Sequence, residues 1–338
     1  MSVSTTAPIS TAIDRTRHVL FTTGNAGKWF VLGFCAWLSY LGSGGGISIG
    51  NPFGGSGGPG GGPGGVTQGD FSAVESWLKE HLVLIIALVA IAVVLVLAIG
   101  LVISWVSCRG RFMFIDGIVR NRAAVVDPWR EYASEGNSLF FFRLAFGILT
   151  FLGVAICMGV GALIALHDIK ARDFGSGAAV GLIVGGSLLA ILITTAAGVV
   201  FYTNDFVVPI MYARRQKAMA AWRELWGLFR KYPLELLLVY PIIRVLLGLV
   251  VAVLAFVGTC LTCCIAAIPY IGTVILLPLF VFSQSYPLGF IASLGPEYSG
   301  LAWAPSAASP PPFAGGGAPT GAQGAPLAPP ALPPAAPG

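Results

Sequence analysis

Arg244 is the residue of this chain that could most directly do chemistry, because it is the only charged residue between positions 236 and 294. A guanidinium in such an apolar stretch costs at least ~2.5 kcal/mol unless it is paired or hydrated. Arg244 comes 11 residues after Pro233, or about 16 Å into a helix that begins there. No carboxylate is expected deep in any apolar stretch. The expected partners are backbone carbonyls, a bound anion or the side chains of Tyr240, Gln284, Ser283, Thr194 and Thr195.

This pattern at Arg244 predicts one of two structures. The favoured interpretation is a hydrogen-bonded link between helices, in which Arg244 is satisfied by polar groups such as Tyr240 and Gln284. The alternative is a binding site for an anion or for the phosphate of a lipid. In either case the guanidinium is expected to face the interior of the protein.

Two glycine-containing segments have only a superficial likeness to phosphate-binding loops. In residues 24–28 (GNAGK), Thr22 stands where the first glycine of such a loop belongs, and Trp29 replaces its Ser or Thr. No β-strand is expected before this segment, although the loop requires one. The repeated Gly-Gly-Pro composition of residues 42–65 favours a flexible linker. We therefore expect no nucleotide-binding site.

Neither the cysteines nor the histidines have the spacing of metal ligands. Cys260, Cys263 and Cys264 form a Cys-x-x-Cys-Cys cluster, but a metal site would need a second pair or a nearby histidine. Small apolar packing residues are the favoured interpretation, and an oxidising exterior would also permit a disulfide. The three histidines lie on separate segments. We expect no metal, no cofactor and no catalytic residue, and hence a protein that is not an enzyme.

The elements that must position these side chains are membrane-spanning helices. Hydrophobic residues make up 56% of the chain and charged residues 10%, against roughly 25% charged residues in an ordinary soluble domain. The apolar blocks reach the roughly 20 residues that cross a bilayer. The sequence predicts an all-α integral membrane protein with six transmembrane helices, arranged in three repeated units with interfacial amphipathic helices. The predicted spans lie near residues 28–42, 82–107, 139–166, 177–203, 233–258 and 271–294.

The distribution of basic residues predicts that both termini are cytoplasmic. Lys and Arg concentrate in the cytoplasmic loops of membrane proteins. With the N-terminus inside, 14 of the 19 basic residues fall in cytoplasmic segments. Lys79, Lys170 and Arg172 fall outside, and Arg143 lies near enough to the end of its span to extend back to the headgroups. The net charge of +5 then reflects topology and affinity for anionic lipids, and nucleic-acid binding is not expected.

An internal repeat supports the six-span arrangement. At an offset of 93 residues, the WRE motif at 129–131 superposes on the WRE motif at 222–224, and each precedes an apolar block. Each segment also predicts an amphipathic helix in the headgroup plane, with Tyr132 on the apolar face of one and Trp226 on that of the other. The N-terminal segment has the same organisation. Residues 28–42 therefore occupy the position of a span, although this block is short.

The chain divides into three predicted regions. Residues 1–27 form a cytoplasmic segment with an interfacial helix, and residues 28–294 form the membrane domain, with a glycine-rich outside loop at 43–66. Residues 295–338 form a disordered cytoplasmic tail, because Pro, Ala and Gly dominate there and residues 305–338 carry no charge. Its proline runs could bind an aromatic groove on a cytoplasmic partner. An inert tether is the favoured interpretation.

Four stretches of the sequence carry a resemblance to a known group of proteins. They are residues 28–37 (KWFVLGFCAW), 111–116 (RFMFID), 205–211 (DFVVPIM) and 295–298 (GPEY). They resemble an uncharacterised family of bacterial six-span membrane proteins, which is itself similar to the membrane domain found beside glycerophosphodiester phosphodiesterases. The resemblance covers about residues 8–300. It implies a fold and a location in the bacterial cytoplasmic membrane, and no activity.

Two functions agree with these patterns. The leading one is a non-enzymatic protein that organises lipids, anionic ones included, or protein partners through its interfacial helices. The alternative is a small transporter or channel with an anion or lipid-phosphate site at Arg244, which calls for intramembrane ionisable residues and broken helices. The two differ in whether a polar cavity reaches the middle of the membrane. An intramembrane enzyme is disfavoured, because no acid is expected deep in a span.

Overall fold

Helices account for all the regular structure in the computed structural model, which describes residues 7–21, 26–41, 81–171, 175–262 and 270–302. The helices are α1 (Ala7–Phe21), α2 (Ala26–Leu41), α3 (Leu82–Val119), α4 (Val126–Glu131), α5 (Ala133–Ala171), α6 (Ser176–Tyr202), α7 (Val208–Arg214), α8 (Ala218–Lys231), α9 (Tyr240–Leu261), α10 (Ile271–Ile275) and α11 (Leu277–Ala292). Short π-helical segments join α6 to α7 (Thr203–Val207) and lead into α9 (Glu235–Val239), and a 3₁₀-helix covers Pro296–Leu301.

Four helical segments are long and apolar enough to cross a membrane. They are Leu82–Val119, Ala133–Ala165, Ala179–Arg214 and Glu235–Leu261. The most apolar parts of the first two contain no buried residue, and apolar surface of that extent is unfavourable in water. These helices indicate a membrane protein. The helices α2 and α11 have 16 residues each, fewer than the roughly 20 of a typical span.

The long helices continue past the predicted ends of the spans. Helix α3 runs to Val119 rather than ending near 107. The helical rod that begins with α6 continues through the π segment and α7 and ends at Arg214 rather than near 203. Burial explains both extensions, because Phe112 on α3 and Phe206 before α7 are completely buried. Parts of the basic segments predicted as cytoplasmic loops are therefore helical and belong to the packed core.

The packed core lies at one end of the long helices. Its side chains come from the extended turns of α3 and α7, from α2 and α11, and from α8. The predicted amphipathic helix is present as α8, but most of its apolar face, including Leu225, packs on protein, while Trp226 is exposed. The other predicted amphipathic helix is only the six residues of α4, and Tyr132 after it is buried between the rings of Phe112 and Tyr212.

The ordered chain reaches further toward the C-terminus than position 294, where the membrane domain was expected to end. The 3₁₀-helix Pro296–Leu301 buries Tyr298 and Leu301 in the core. Arg15 of α1 donates from Nη2 to the carbonyl oxygen of Leu301 at 2.7 Å, which joins the two ends of the domain. The glycine-rich segment at 43–66 and the tail from 303 onward lie outside the described residues, so their predicted disorder stays a prediction.

Helices α5 and α6 form an antiparallel pair that is held close by glycines. A Cβ atom at Gly181 would lie 2.6 Å from the carbonyl oxygen of Gly161, and one at Gly185 would lie 3.0 Å from the Cα atom of Gly161. Contacts this short leave no room for a side chain. Small residues let helix backbones approach closely in membranes, where dispersion contacts replace the hydrophobic effect between helices.

We predict that Gly181→Leu separates α5 from α6 and destabilises the protein by roughly 1–3 kcal/mol, because the new side chain meets backbone that cannot move aside. Denaturant titration of the full chain in mild detergent measures the loss. Gly186→Leu, on the same helix, is the matched control, because a Cβ atom added at Gly186 has no neighbouring atom within 4 Å. Equal losses in the two variants would contradict the close approach.

Candidate functional site: an arginine cluster at one end of the apolar helices

Four charged side chains meet where the uncharged parts of the long helices end. They are Arg111, Arg143, Asp205 and Arg244. Arg111 and Asp205 lie just after the uncharged residues of α3 and α6. Arg143 and Arg244 lie just before the longest uncharged runs of α5 and α9. Because these helices alternate in direction, the polar ends of all four come together.

The carboxylate of Asp205 holds the cluster together. Arg244 Nε donates to Asp205 Oδ2 at 2.7 Å, and the Tyr240 hydroxyl donates to the same oxygen at 2.9 Å. Arg244 Nη1 also donates to Ser283 Oγ of α11 at 3.1 Å. The side chains of Arg244 and Asp205 are only 17% and 10% exposed. A pair this buried needs such additional hydrogen bonds, because each ion has lost its hydration.

Prolines explain why the backbone widens at this pair. Asp205 lies in the π-helical segment Thr203–Val207, and Tyr240 follows the segment Glu235–Val239. A proline has no N–H, and its ring collides with the carbonyl group four residues earlier. Pro209 therefore disturbs the helix at Asp205, and Pro241 disturbs it in the second π segment. Each π turn relieves this collision and frees room for a polar side chain in the helix.

Arg143 and Arg111 add two further positive charges. Arg143 donates from Nη2 to Asn204 Oδ1 at 2.5 Å and from Nη1 to Cys108 Sγ at 3.8 Å. Arg111 interacts electrostatically with Arg143 and Asp205. Among the described side chains that meet here, three guanidinium groups therefore face one carboxylate. The cluster carries a surplus of positive charge that favours a nearby anion.

A small cavity adjoins the cluster. Its volume is about 10 Å³, and its polar lining comes from Ser39, Tyr40, Arg111, Asn204 and Gln284. That volume admits about one water molecule. The cavity could therefore hydrate the cluster, but a phosphate group does not fit in it.

The structure places the predicted site residues around this cluster. Arg244 and Tyr240 share the Asp205 carboxylate, Ser283 accepts from Arg244, and Gln284 lines the adjacent cavity. Thr194 and Thr195 are exposed on α6, about three turns before Asp205, and Thr195 donates to the Ile191 carbonyl. Those two threonines take no part in the cluster.

Asp205 is the functional residue that sequence reasoning missed. No carboxylate was expected among the partners of Arg244, because the predicted span ended near 203, whereas the helix continues past that position and Asp205 is buried in the core. Pro209 downstream was the available signal of a broken, functional helix turn. Arg143 donates to Asn204 within the cluster, and its predicted extension to the headgroups stays a prediction.

A second ion-pair network lies further along α3, around the completely buried Asp116. Arg122 Nε donates to Asp116 Oδ2 at 2.7 Å, and the Tyr212 hydroxyl donates to Oδ1 at 3.1 Å. Arg120 lies one helical turn on, with Nε 3.2 Å from Oδ1. The hydrogen bond to Asp116 raises the pKa of Arg122 above its ordinary value. This carboxylate, unlike Asp205, is balanced by cations that are partly exposed.

Glu131 extends the second network to the loops. It accepts hydrogen bonds from Arg120 and Arg122, and from Arg215, which also lies over the ring of Tyr132 at 3.9 Å. Burial acts to raise the pKa of Glu131, but the hydrogen bond and charge of Arg120 and its neighbours lower it overall. Arg215 reaches this position from a left-handed turn, with φ of 52°. The network therefore joins α3, α4 and α7.

The cysteine cluster is only partly visible. Cys260 is exposed with a free thiol, whereas Cys263 and Cys264 lie outside the described residues. Within the part of the chain that the structure describes, no group of three His, Cys, Asp or Glu side chains is placed to hold a metal ion. Whether the three cysteines bind a metal is still a matter of prediction.

Comparisons with known proteins give a family but no function. The model of a family of unknown function, DUF7544, matches residues 3–302. No match was found among curated proteins or among solved structures. The family match agrees with the resemblance to an uncharacterised family. It shows no link to the membrane domain found beside glycerophosphodiester phosphodiesterases, and that similarity stays a prediction.

We predict that Asp205→Asn destabilises the protein by about 3–5 kcal/mol, because it leaves buried arginines without their carboxylate. Ser283→Ala, which removes only a neutral acceptor of Arg244, should cost about 1 kcal/mol. Chemical denaturation in detergent micelles compares the two variants with the unaltered chain. A loss in Asp205→Asn no larger than that in Ser283→Ala would show that the ion pair is not what stabilises this region.

Proposed function

The chain belongs to the DUF7544 family, and from this premise we propose that it is a non-enzymatic, multi-pass protein of the bacterial cytoplasmic membrane that organises anionic lipids or partner proteins. The observation that carries the proposal is the segregation of charge along the helices. Four apolar helices expose their middles, while the arginine cluster around Asp205 and the network around Asp116 lie at one end. That end suits the boundary where hydrocarbon meets phosphate headgroups.

Six spans complete the proposed arrangement. The four long helices would be four of the spans, and α2 and α11 would be the other two. Each of these has 16 residues and extends about 24 Å at 1.5 Å per residue. A helix that packs against protein tolerates this mismatch through local thinning of the bilayer. The three repeated units predicted from the sequence would give the same count. The concentration of basic residues at the end where the packed core lies supports the proposal that both termini are cytoplasmic.

Helix α8 supplies a surface for the bilayer in this proposal. Met219 is 67% exposed and Trp226 is 58% exposed, although most other apolar residues of the helix pack on the core. Tryptophan favours the headgroup level of a membrane, and the exposed Arg223 and Arg230 favour anionic lipids. These four side chains fit a helix that lies along the cytoplasmic surface of the membrane.

The absence of an enzymatic role is part of the proposal, and the state of Asp205 supports it. Its carboxylate already accepts hydrogen bonds from Arg244 and Tyr240, so it serves as a link between helices. The proline-rich tail adds one further proposal. If it binds a cytoplasmic partner, it would do so as an extended polyproline ligand.

A small transporter or channel is the second candidate. The proline-associated π turns and the surplus of arginine support it, because transporters place ions at broken helices. Against it, Asp205 neutralises Arg244 at 2.7 Å, and the adjoining cavity of about 10 Å³ holds no more than a water molecule. The geometry therefore favours Arg244 as a link between α9, α11 and the π segment at Asp205.

We predict that reporter fusions after Lys79 and after Arg172 behave as exported, and that fusions at either terminus and after Arg215 behave as cytoplasmic. The physical reason is that basic residues are retained on the cytoplasmic side of the membrane. Paired phosphatase and fluorescent reporters measure each position. Cytoplasmic activity at both Lys79 and Arg172 would contradict the six-span arrangement.

We also predict that the full chain, purified in mild detergent, retains anionic phospholipid above its share in the source membrane, because of the arginine surplus at the proposed headgroup level. Phospholipid analysis by mass spectrometry measures this ratio. Folded Arg244→Met has one positive charge fewer but should still retain the lipid, because Arg143, whose hydrogen bonds go to neutral groups, is unchanged. Loss of the lipid in Arg244→Met alone would favour the anion-site alternative, and no enrichment in the unaltered chain would refute the lipid function.

A further inference from the structure

We infer that the groove between α3 and α5 binds one anionic phospholipid, with its phosphate on Arg143 and one acyl chain along α5. The inference rests on the proposed membrane function and names a site for it. The groove has a volume of about 310 Å³. Its lining comes from Ser104 on α3 and from Arg143, Leu144, Gly147, Ile148 and Phe151 on α5.

The groove runs lengthwise along α5. Arg143, Gly147 and Phe151 are spaced by four residues and therefore share one face of the helix. Eight residues at 1.5 Å per residue make this face about 12 Å long. Arg143 stands at the end where the charged cluster lies, and the uncharged part of α5 follows it. The groove therefore has a cationic end and an apolar end, in the order of a headgroup and its acyl chain.

The apolar end of the groove is open to the surroundings. Ile148 is 54% exposed and Phe151 is 72% exposed, and a Cβ atom at Gly147 would meet nothing within 4 Å. In a bilayer, this surface faces lipid. An acyl chain laid over Gly147 would contact Ile148 and Phe151 without displacing any protein atom.

The charge of Arg143 selects an anionic occupant. Its described hydrogen bonds go to Asn204 Oδ1 and Cys108 Sγ, which are both neutral. The carboxylate of the cluster, Asp205, already accepts hydrogen bonds from Arg244 and Tyr240. A guanidinium has five N–H donors, so Arg143 keeps donors for a phosphate. Arginine also matches phosphate geometry in a bidentate manner, which a lysine does not.

The depth of Arg143 fits a lipid phosphate rather than a free ion. Arg143 lies level with Arg111 and Asp205, at the point where the uncharged helix stretches end. This is the level at which a lipid of the leaflet next to the packed core carries its phosphate. The groove also offers mainly apolar surface beyond Arg143, which inorganic phosphate cannot use.

The test compares lipid binding by the full chain and four variants in phosphatidylcholine nanodiscs, to which phosphatidylglycerol is added. Gly147→Leu should fill the groove, and Arg143→Gln should remove the charge. Each is expected to weaken the tightest phosphatidylglycerol site about ten-fold or more. Gly159→Leu, on the same helix, is the matched control, because a Cβ atom added at Gly159 also has no neighbouring atom within 4 Å. It should bind like the unaltered chain.

Native mass spectrometry counts the bound lipids, and the thermal midpoint of each variant reports its folding. Arg143→Lys separates charge from geometry, and partial weakening is expected because it keeps the charge but loses the bidentate contact. Inorganic phosphate at matched concentration should not compete. Competition by inorganic phosphate, or a change in oligomeric mass in Gly147→Leu without a change in lipid, would overturn the assignment.

The outcomes separate this inference from the proposed function. If the unaltered chain binds no phosphatidylglycerol in preference to phosphatidylcholine, both the lipid function and the groove fail. If it binds phosphatidylglycerol but folded Gly147→Leu and Arg143→Gln bind it equally well, only the groove fails. Should Arg143→Gln fail to fold, Gly147→Leu against Gly159→Leu decides the result by itself.

Discussion

Burial of the Asp205 carboxylate beside Arg244 sets the conditions that the surrounding structure has to meet. Removing two ions from water costs several kcal/mol for each, and attraction offsets that cost only when the remaining donors and acceptors are also satisfied. The hydroxyls of Tyr240 and Ser283 meet this requirement. They come from α9 and α11, while Asp205 comes from the π segment after α6. Three parts of the chain are therefore held in one arrangement by the pair of Asp205 and Arg244.

The charged groups are not distributed evenly along the helix axes. The network of Asp116 and Glu131 lies nearer the loops and contains comparable numbers of acids and bases. The cluster around Asp205 has more bases than acids and lies nearer the apolar helix stretches. A surplus of guanidinium groups next to hydrocarbon is unfavourable unless anions are close. Lipid phosphates are the anions that a membrane supplies at its headgroup level, and this is the basis of the proposed lipid binding.

The apolar helices show two different relations to their surroundings. Helices α5 and α6 pack backbone against backbone through Gly161, Gly181 and Gly185. The first half of α3 instead exposes almost every side chain, so its stability as a helix depends on its internal hydrogen bonds and on lipid. The groove at Arg143 lies where α3 and α5 separate. The two helices are in contact near Asn137, and further along α5 the surface around Gly147 is open.

Composition and the length of the apolar blocks determined that the chain is helical and suited to a membrane, and Arg244 and Tyr240 stood out as a polar pair within one apolar stretch. Those properties follow from local sums over the sequence. Where each helix ends could not be read in this way, because Phe112 and Phe206 extend their helices by packing against distant segments. Asp205 and Arg244 form their ion pair across 39 positions of the sequence. The pair depends on π turns that widen both helices where they face each other. Only the tertiary structure decided it, since a contact between distant residues is set by the packing of whole helices.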